Sequence, residues 1–484
     1  VVQIVGQGHS SRKVFDPLSE DLIYTSPSLV ISKKPSQVDL QRQIARYTQW
    51  LQQHELNHQQ QLALIQQQKE RYQERAQRKV IVGEKTIRTF APFIPTYSAL
   101  STFSRGQKIT GILFILALLL GISFSYMDTL VVLMFFITIL YIGSLALQFV
   151  MSLRTFIADF EEHIDDTIIH GLGEVEWPGY TVLCPLYKEA AIIPQFTRAI
   201  QRLDYPAHKL QVLLLIEEDD LETHEILQKM ELPEYFSIVI VPAGTPKTKP
   251  RACNYGLIQA TGDFVVIYDA EDVMDPLQLK RSVLTFANYG PEMVCVQAKL
   301  NFYNTKQNLL TRWFTAEYSA WFDLLLPGLQ YLRFPLPLGG TSNHFRTDVL
   351  RALGGWDAFN VTEDCELGIR LSQFKLKTVV LNSTTYEEAN PQVHNWIRQR
   401  SRWIKGYLQT YLVHMRRPLF MLRQGMFREF LALQFLIGGR TLTIFLNPIL
   451  WLVLLFYVFF FVLILLVFTT ASFQLLSCIW GLSV

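Results

Sequence analysis

The chain has 484 residues, half of them hydrophobic and 13% aromatic, with 18% charged and a formal net charge of +2. That length suggests more than one structural unit, and the charged fraction falls below the roughly 25% usual in soluble domains. Near-neutrality gives no reason to expect a nucleic-acid partner, and five scattered cysteines with no CxxC pair argue against a zinc site or a disulfide framework.

The first residue is Val1 rather than Met, so the chain is expected to be part of a longer protein. Residues 1–90 read as an N-terminal cytoplasmic segment. Within it, 41–79 is rich in Gln, Glu, Arg and Lys, with Ile44, Leu51, Leu62 and Ile65 at loosely helical spacing. This predicts a polar helix or coiled coil, solvated or acting as a linker. Residues 91–155 hold two transmembrane helices. The uncharged run 109–126 and the run 129–153 each fit a span of roughly 20 residues. The turn between them carries Asp128 and no cation, whereas Arg105 and Lys108 precede the first span and Arg154 follows the second. The positive-inside rule then places the turn outside and the large middle segment in the cytoplasm. The first span lies too far from the N-terminus to be a cleaved signal peptide.

Between 177 and 299, short apolar runs alternate with helical patterns. Strands are predicted at 180–186, 211–220, 236–241 and 263–272, and helices at 189–203 and 250–260, implying a mostly parallel sheet. Ligands collect at the carboxyl ends of such strands, and three ends here are polar: 187–189, 217–220 and 269–272. Residues 309–326 carry a tryptophan-rich stripe suited to an interfacial helix, and 392–416 carries another, so an α/β domain over 156–420 is bracketed by membrane elements. Residues 421–484 begin with an interfacial helix, and no residue from 441 onward is charged. That stretch is too long for one span, which predicts a helix break at Asn447-Pro448 or a missing connecting segment.

Four constellations carry chemistry. In "IYDAEDVMDP", Asp269 and Glu271 fall on one side of a strand end, with Asp272 beside them. Adjacent carboxylates repel unless a cation sits between them, and a hard ion such as Mg²⁺ or Mn²⁺ would bring phosphate oxygens with it. In "GTPKTKPRACNYG", Lys247, Lys249 and Arg251 precede a helix, and cations at a helix N-terminus make an anion site. In "NVTEDCELGIRL", Thr362 can cap a helix opening with Glu363, Asp364 and Glu366, which explains the acids without function. The functional reading gives Asp364 a proton to take from a sugar hydroxyl. In "NWIRQRSRWIKGYLQ", Gln399, Arg402 and Trp403 share a helix face, offering a cation for a diphosphate and a flat ring for a sugar.

Together these motifs resemble the membrane-integrated processive glycosyltransferases of family 2, the cellulose, hyaluronan and chitin synthase group, with a finer likeness to bacterial exopolysaccharide synthases. Their D…DxD…TED…QxxRW signature appears here as Glu218 or Asp219, "DAED", "TED" at 362–364 and "QRSRW" at 399–403. The resemblance implies a cytoplasmic GT-A (Rossmann-like) α/β domain embedded between transmembrane and interfacial helices. Asp269 with Glu271 or Asp272 would hold Mg²⁺ or Mn²⁺ and the diphosphate. Glu218 or Asp219 would bind the uracil and Lys249 the nucleotide. Asp364, with Glu363 beside it, would supply the catalytic carboxylates, Asp364 as general base. Gln399, Arg402 and Trp403 would shape the acceptor end. One departure is Glu271, where the family usually has Asp. The implied activity is inverting, processive transfer from a nucleotide sugar, UDP-glucose by default, to a growing β-linked polysaccharide exported across the inner membrane. Membrane lipid and a regulatory or export protein are the further partners implied. The rival readings are single addition to a lipid carrier and an inactive membrane receptor or scaffold.

Overall fold

The computed structural model describes residues 37–53, 97–158, 160–289 and 292–481. Most of the Gln-rich stretch lies outside the described residues, and its visible part is α1, Gln37–Gln52. This helix is solvated on one face only. Leu40, Ile44, Tyr47 and Leu51 recur on one face, and Tyr47 and Trp50 are buried in the core of the sheet. Arg46 donates to Asn288 Oδ1 at 2.7 Å. Tyr47 completes a stripe that Ile44 and Leu51 alone only hint at, which corrects the expectation of a linker here.

The two expected spans are α2, Arg105–Phe124, and α3, Tyr126–Ile157. Ser104 and Gln107 form a reciprocal capping box at the start of α2. With Phe427–Leu466, three helices among the described residues are long and apolar enough to cross a membrane.

The middle segment folds as a mixed α/β sheet. Its strands are β1 Tyr180–Leu186, β2 Leu210–Glu217, β3 Phe236–Val241, β4 Phe264–Ile267, β5 Met293–Phe302, β6 Asn343–Arg346 and β7 Lys377–Glu387. They lie in the order β3-β2-β1-β4-β6-β5-β7. All neighbouring pairs are parallel except those of β6, which runs antiparallel to β4 and β5. Helices α4 Ile193–Gln201, α5 Lys249–Gln259 and α6 Gln278–Asn288 cover its faces. The period of two sorts the strands: Val182, Cys184 and Leu186 pack with α1, α4 and α6, while Leu183 packs with α5 on the other face. Burial on both faces explains the near-continuous apolar runs. Two strands stop short of their predicted ends. Asp272 accepts the Asp269 N–H and turns the chain after β4, and Asp220 caps the helix after β2 through the Thr223 N–H.

The stripe at 309–326 becomes α7, Leu309–Ser319, followed by a wider π turn, Ala320–Leu325. Its aromatics divide: Phe314 and Phe322 are buried, whereas Trp313 is exposed. Next come α8, Glu363–Gln373, and α9, Val393–His414. Thr362 makes no side-chain cap to α8, contrary to expectation. It is pressed against Gly406 of α9, where a Cβ would lie 2.4 Å from the Thr362 hydroxyl oxygen.

The last helix, α10, runs unbroken from Arg440 to Gly481 through Pro448, so the expected break is absent. In an apolar setting every amide that leaves the helix loses its partner, and this outweighs the one hydrogen bond that proline removes. The domain is moored to the start of α2. Asp357 accepts from the Ser98 hydroxyl and the Ala99 N–H, Arg416 donates to the Ser98 carbonyl, and Gln107 donates to the Leu412 carbonyl.

Candidate active site

A cavity of about 890 Å³ lies between the sheet's carboxyl edge and the membrane-type helices. Asp269 and Glu271 enter it from the end of β4, Lys249 from the first turn of α5, and Glu363 and Asp364 from the first turn of α8. Gln399, Arg402 and Trp403 enter from α9. Side chains that the sequence separates by up to a third of the chain thus share one space.

The acid end is short of cations. Lys249 bonds Asp269 at 2.5 Å and the Gly340 carbonyl at 2.8 Å. Burial alone would lower its pKa, but Asp269 and Glu363 hold it above the ordinary value. Burial and then the Asp269 charge push both Glu189 and Glu271 up to about 7. Glu387, at the end of β7, is raised well above the carboxylate range by burial and by the nearby acids. Asp272 is fully buried, does not line the cavity, and accepts from Thr341 and the Asp269 N–H. It braces the loop, so Asp269 and Glu271 are the pair that faces the cavity.

This donor set fits a divalent cation. Two cavity-facing carboxylates carry repulsion that one lysine does not relieve, and Mg²⁺-like ions often take one or two carboxylates plus substrate phosphates. Among the described residues no group of three or more His, Cys, Asp or Glu is placed to hold an ion by itself. Phosphate oxygens would have to complete the coordination.

Glu363 and Asp364 are adjacent carboxyls whose titrations are linked. Burial, then the Asp364 charge, pushes Glu363 up to about 8. Burial pushes Asp364 only to about 6, because the Cys365 N–H donates to its carboxylate at 2.7 Å. At the other end of the cavity, Arg402 is exposed and Gln399 Oε1 is buried with no hydrogen-bond partner among the described residues.

The base-binding candidates sit apart. Asp219 is 2.6 Å from Lys247, which itself lines the cavity, and Glu218 accepts the Ala243 N–H at 2.8 Å. Neither acid lines the cavity. Other residues that reach it were not singled out from the sequence: Glu317, Arg400, Tyr407, Arg440 and, from α3, Ser144 and Gln148. Glu317 is one of two acids, with Asp323, inside the apolar stripe, and Arg400 is a variable position inside a signature.

A mostly parallel sheet with a cleft at its carboxyl edge is an α/β class that places its ligands there. Residues 178–406 match the family model described as Glycosyltransferase like family 2. That match covers a little under half of the chain, so these residues are similar to family 2 glycosyltransferases, and the fold is GT-A-like. It is 28% identical over 235 residues to the probable glycosyltransferase YdaM of Bacillus subtilis, covering 48% of this chain and 56% of that protein. It is 28% identical over 283 residues to the beta-monoglucosyldiacylglycerol synthase of Synechocystis sp., covering 57% of this chain and 56% of that protein. The chain thus spans little more than half the length of these relatives. Among solved structures, the mannosyltransferase PcManGT of Pyrobaculum calidifontis in complex with GDP-Man and Mn²⁺ aligns with a TM-score of 0.44 and 17% identity, over 63% of this chain and 96% of that one.

Proposed function

We propose that the protein is an inverting, processive polysaccharide synthase of the inner membrane, using a nucleotide sugar with UDP-glucose as the default donor. The observation that carries this reading is the single cavity, in which Asp269, Asp364 and Arg402 meet and which continues along Ser144, Gln148 and Thr443 of the membrane-type helices. Asp269 and Glu271 would hold Mg²⁺ or Mn²⁺, which when bound draws charge from the diphosphate. Lys249 and Arg402 place positive charge on the same leaving group. Asp364 takes the proton of the acceptor hydroxyl. That oxygen bonds to the anomeric carbon as the bond to diphosphate breaks on the opposite face, and an α-linked donor yields a β-linked product. Trp403 offers its ring face to the acceptor sugar. The domain would lie in the cytoplasm, with the product leaving between the membrane helices.

A second reading is transfer of one sugar to a lipid. It is favoured by the similarity to a monoglucosyldiacylglycerol synthase over 57% of the chain. Incubation of the protein in lipid vesicles with radiolabelled UDP-glucose and Mn²⁺, followed by product sizing, separates the two. High polymer is expected, whereas label confined to a single glycolipid supports the second reading. Absence of any UDP release, with other nucleotide sugars tried as well, overturns both.

A further inference from the structure

Arg400 occupies a variable position of "QRSRW", three residues before Trp403 and four after Trp396, so all three share a helix face. Its guanidinium lies 4.7 Å from the Trp403 ring, 4.7 Å from Phe314 and 5.2 Å from Trp396. It donates through both terminal nitrogens to Glu317 of α7, with Nη1 at 2.7 Å from Oε1. Glu317 also accepts from Arg440, the first residue of α10, at 3.3 Å. The Arg440 guanidinium in turn sits 5.7 Å from the Trp321 ring. Glu317, Arg400, Arg440, Trp321 and Trp403 all line the cavity.

One carboxylate therefore joins three elements: the helix beside the sheet, the helix that carries the signature and the helix of the third membrane-type segment. Apolar side chains could fill such a junction at comparable stability, so an ion cluster here is poorly explained by stability alone. A bidentate pair is directional, which a hydrophobic contact is not. Arg400 held at both terminal nitrogens cannot turn without breaking that fork. A ring stacked on its guanidinium is then fixed in tilt.

The geometry points to Glu317 as a positioning residue for the acceptor: through Arg400 it sets the plane of Trp403, and through Arg440 it ties that ring to α10. The inference rests on the transfer reaction proposed above, with Trp403 as the acceptor platform. The cluster acts on acceptor affinity and leaves the nucleotide end untouched, since Lys249, Asp269 and Glu271 make no contact with it in the hydrogen bonds and ion pairs described.

The test uses the full chain in lipid vesicles. Glu317→Gln, Arg400→Met and the double variant are compared with wild type for transfer from UDP-glucose to octyl β-glucoside or dioleoylglycerol, whichever the wild type glycosylates. Each single variant is expected to raise the acceptor KM by ~10-fold with the Kd for UDP unchanged, and the double variant to be no worse than either single one. Additive losses, or an equal loss of UDP affinity, overturn the proposal. An arm independent of turnover follows acrylamide quenching of Trp403, isolated by subtracting the Trp403→Phe signal. Quenching is expected to rise about twofold in Glu317→Gln as the ring is released. Unchanged quenching overturns the proposal even if the enzyme is active. Unchanged wild-type inactivity with released quenching overturns only the reaction and leaves the positioning role standing.

Discussion

Glu363 and Asp364 are neighbours in sequence, and burial raises both carboxyls, while the Cys365 N–H opposes the rise at Asp364. A carboxylate serves as a base only when ionised, so the sign is fixed. With Asp364 raised to about 6, kcat/KM is expected to fall as pH drops through that value and to level off above it. Asp364→Asn should remove this limb and lower turnover by ~10²–10⁴-fold while UDP binding, measured by calorimetry, is kept. Asp269→Ala should instead abolish the Mn²⁺-dependent part of UDP binding in the same measurement. At this scale Asp269, Asp364, Gln399, Arg402 and Trp403 were legible, because motifs are local and their chemistry is carried by residue type. Glu387 was not, since its relevance arises only when β7 brings it near Asp269. Nor did the sequence separate Glu271 from Asp272. That distinction depends on which carboxylate the loop turns inward to brace itself.

Between elements, the approach of α9 to the start of α8 depends on Gly406. A Cβ there would meet Thr362 at 2.4 Å, and overpacking of this kind costs about 1–3 kcal/mol. Gly406→Ala is expected to lower the thermal midpoint and to reduce turnover more than Gly→Ala at an open position such as Gly111, where nothing lies within 4 Å. Tyr47 makes a second test. Truncating a buried aromatic costs roughly 3–5 kcal/mol, so Tyr47→Ala should destabilise the domain clearly in a denaturation curve. A solvated α1 would leave the curve unchanged. The strands β5 and β7 drew no expectation from the sequence, whereas the positions of β1 to β4 were legible to within a few residues because burial on both faces makes long apolar runs. The reversal of β6 was not, since four residues carry no directional signal. The missing break at Pro448 shows a propensity overridden by an apolar environment.

Across the whole molecule, the α/β domain and the membrane-type helices are joined by polar contacts that no sequence pattern announces. Asp357 is the centre of one. Burial and then the Glu366 charge push its carboxyl up to about 6, against an ordinary value near 4. A raised folded-state pKa means that the folded protein holds the proton more tightly. Its contribution is full below about 4 and is lost as pH rises through about 6. Asp357→Asn should therefore flatten the fall in stability over that window in a pH series of thermal melts.

The three moorings at Ser98, Ala99 and Gln107 come from the residues just ahead of, and opening, α2. They leave no slack swivel between the α/β domain and α2. Rocking of the domain must be transmitted to α2 as torque, so in lipid vesicles a spin label on α4 should tumble at the same rate as one on α2 rather than at the faster rate of a body swinging on a stalk.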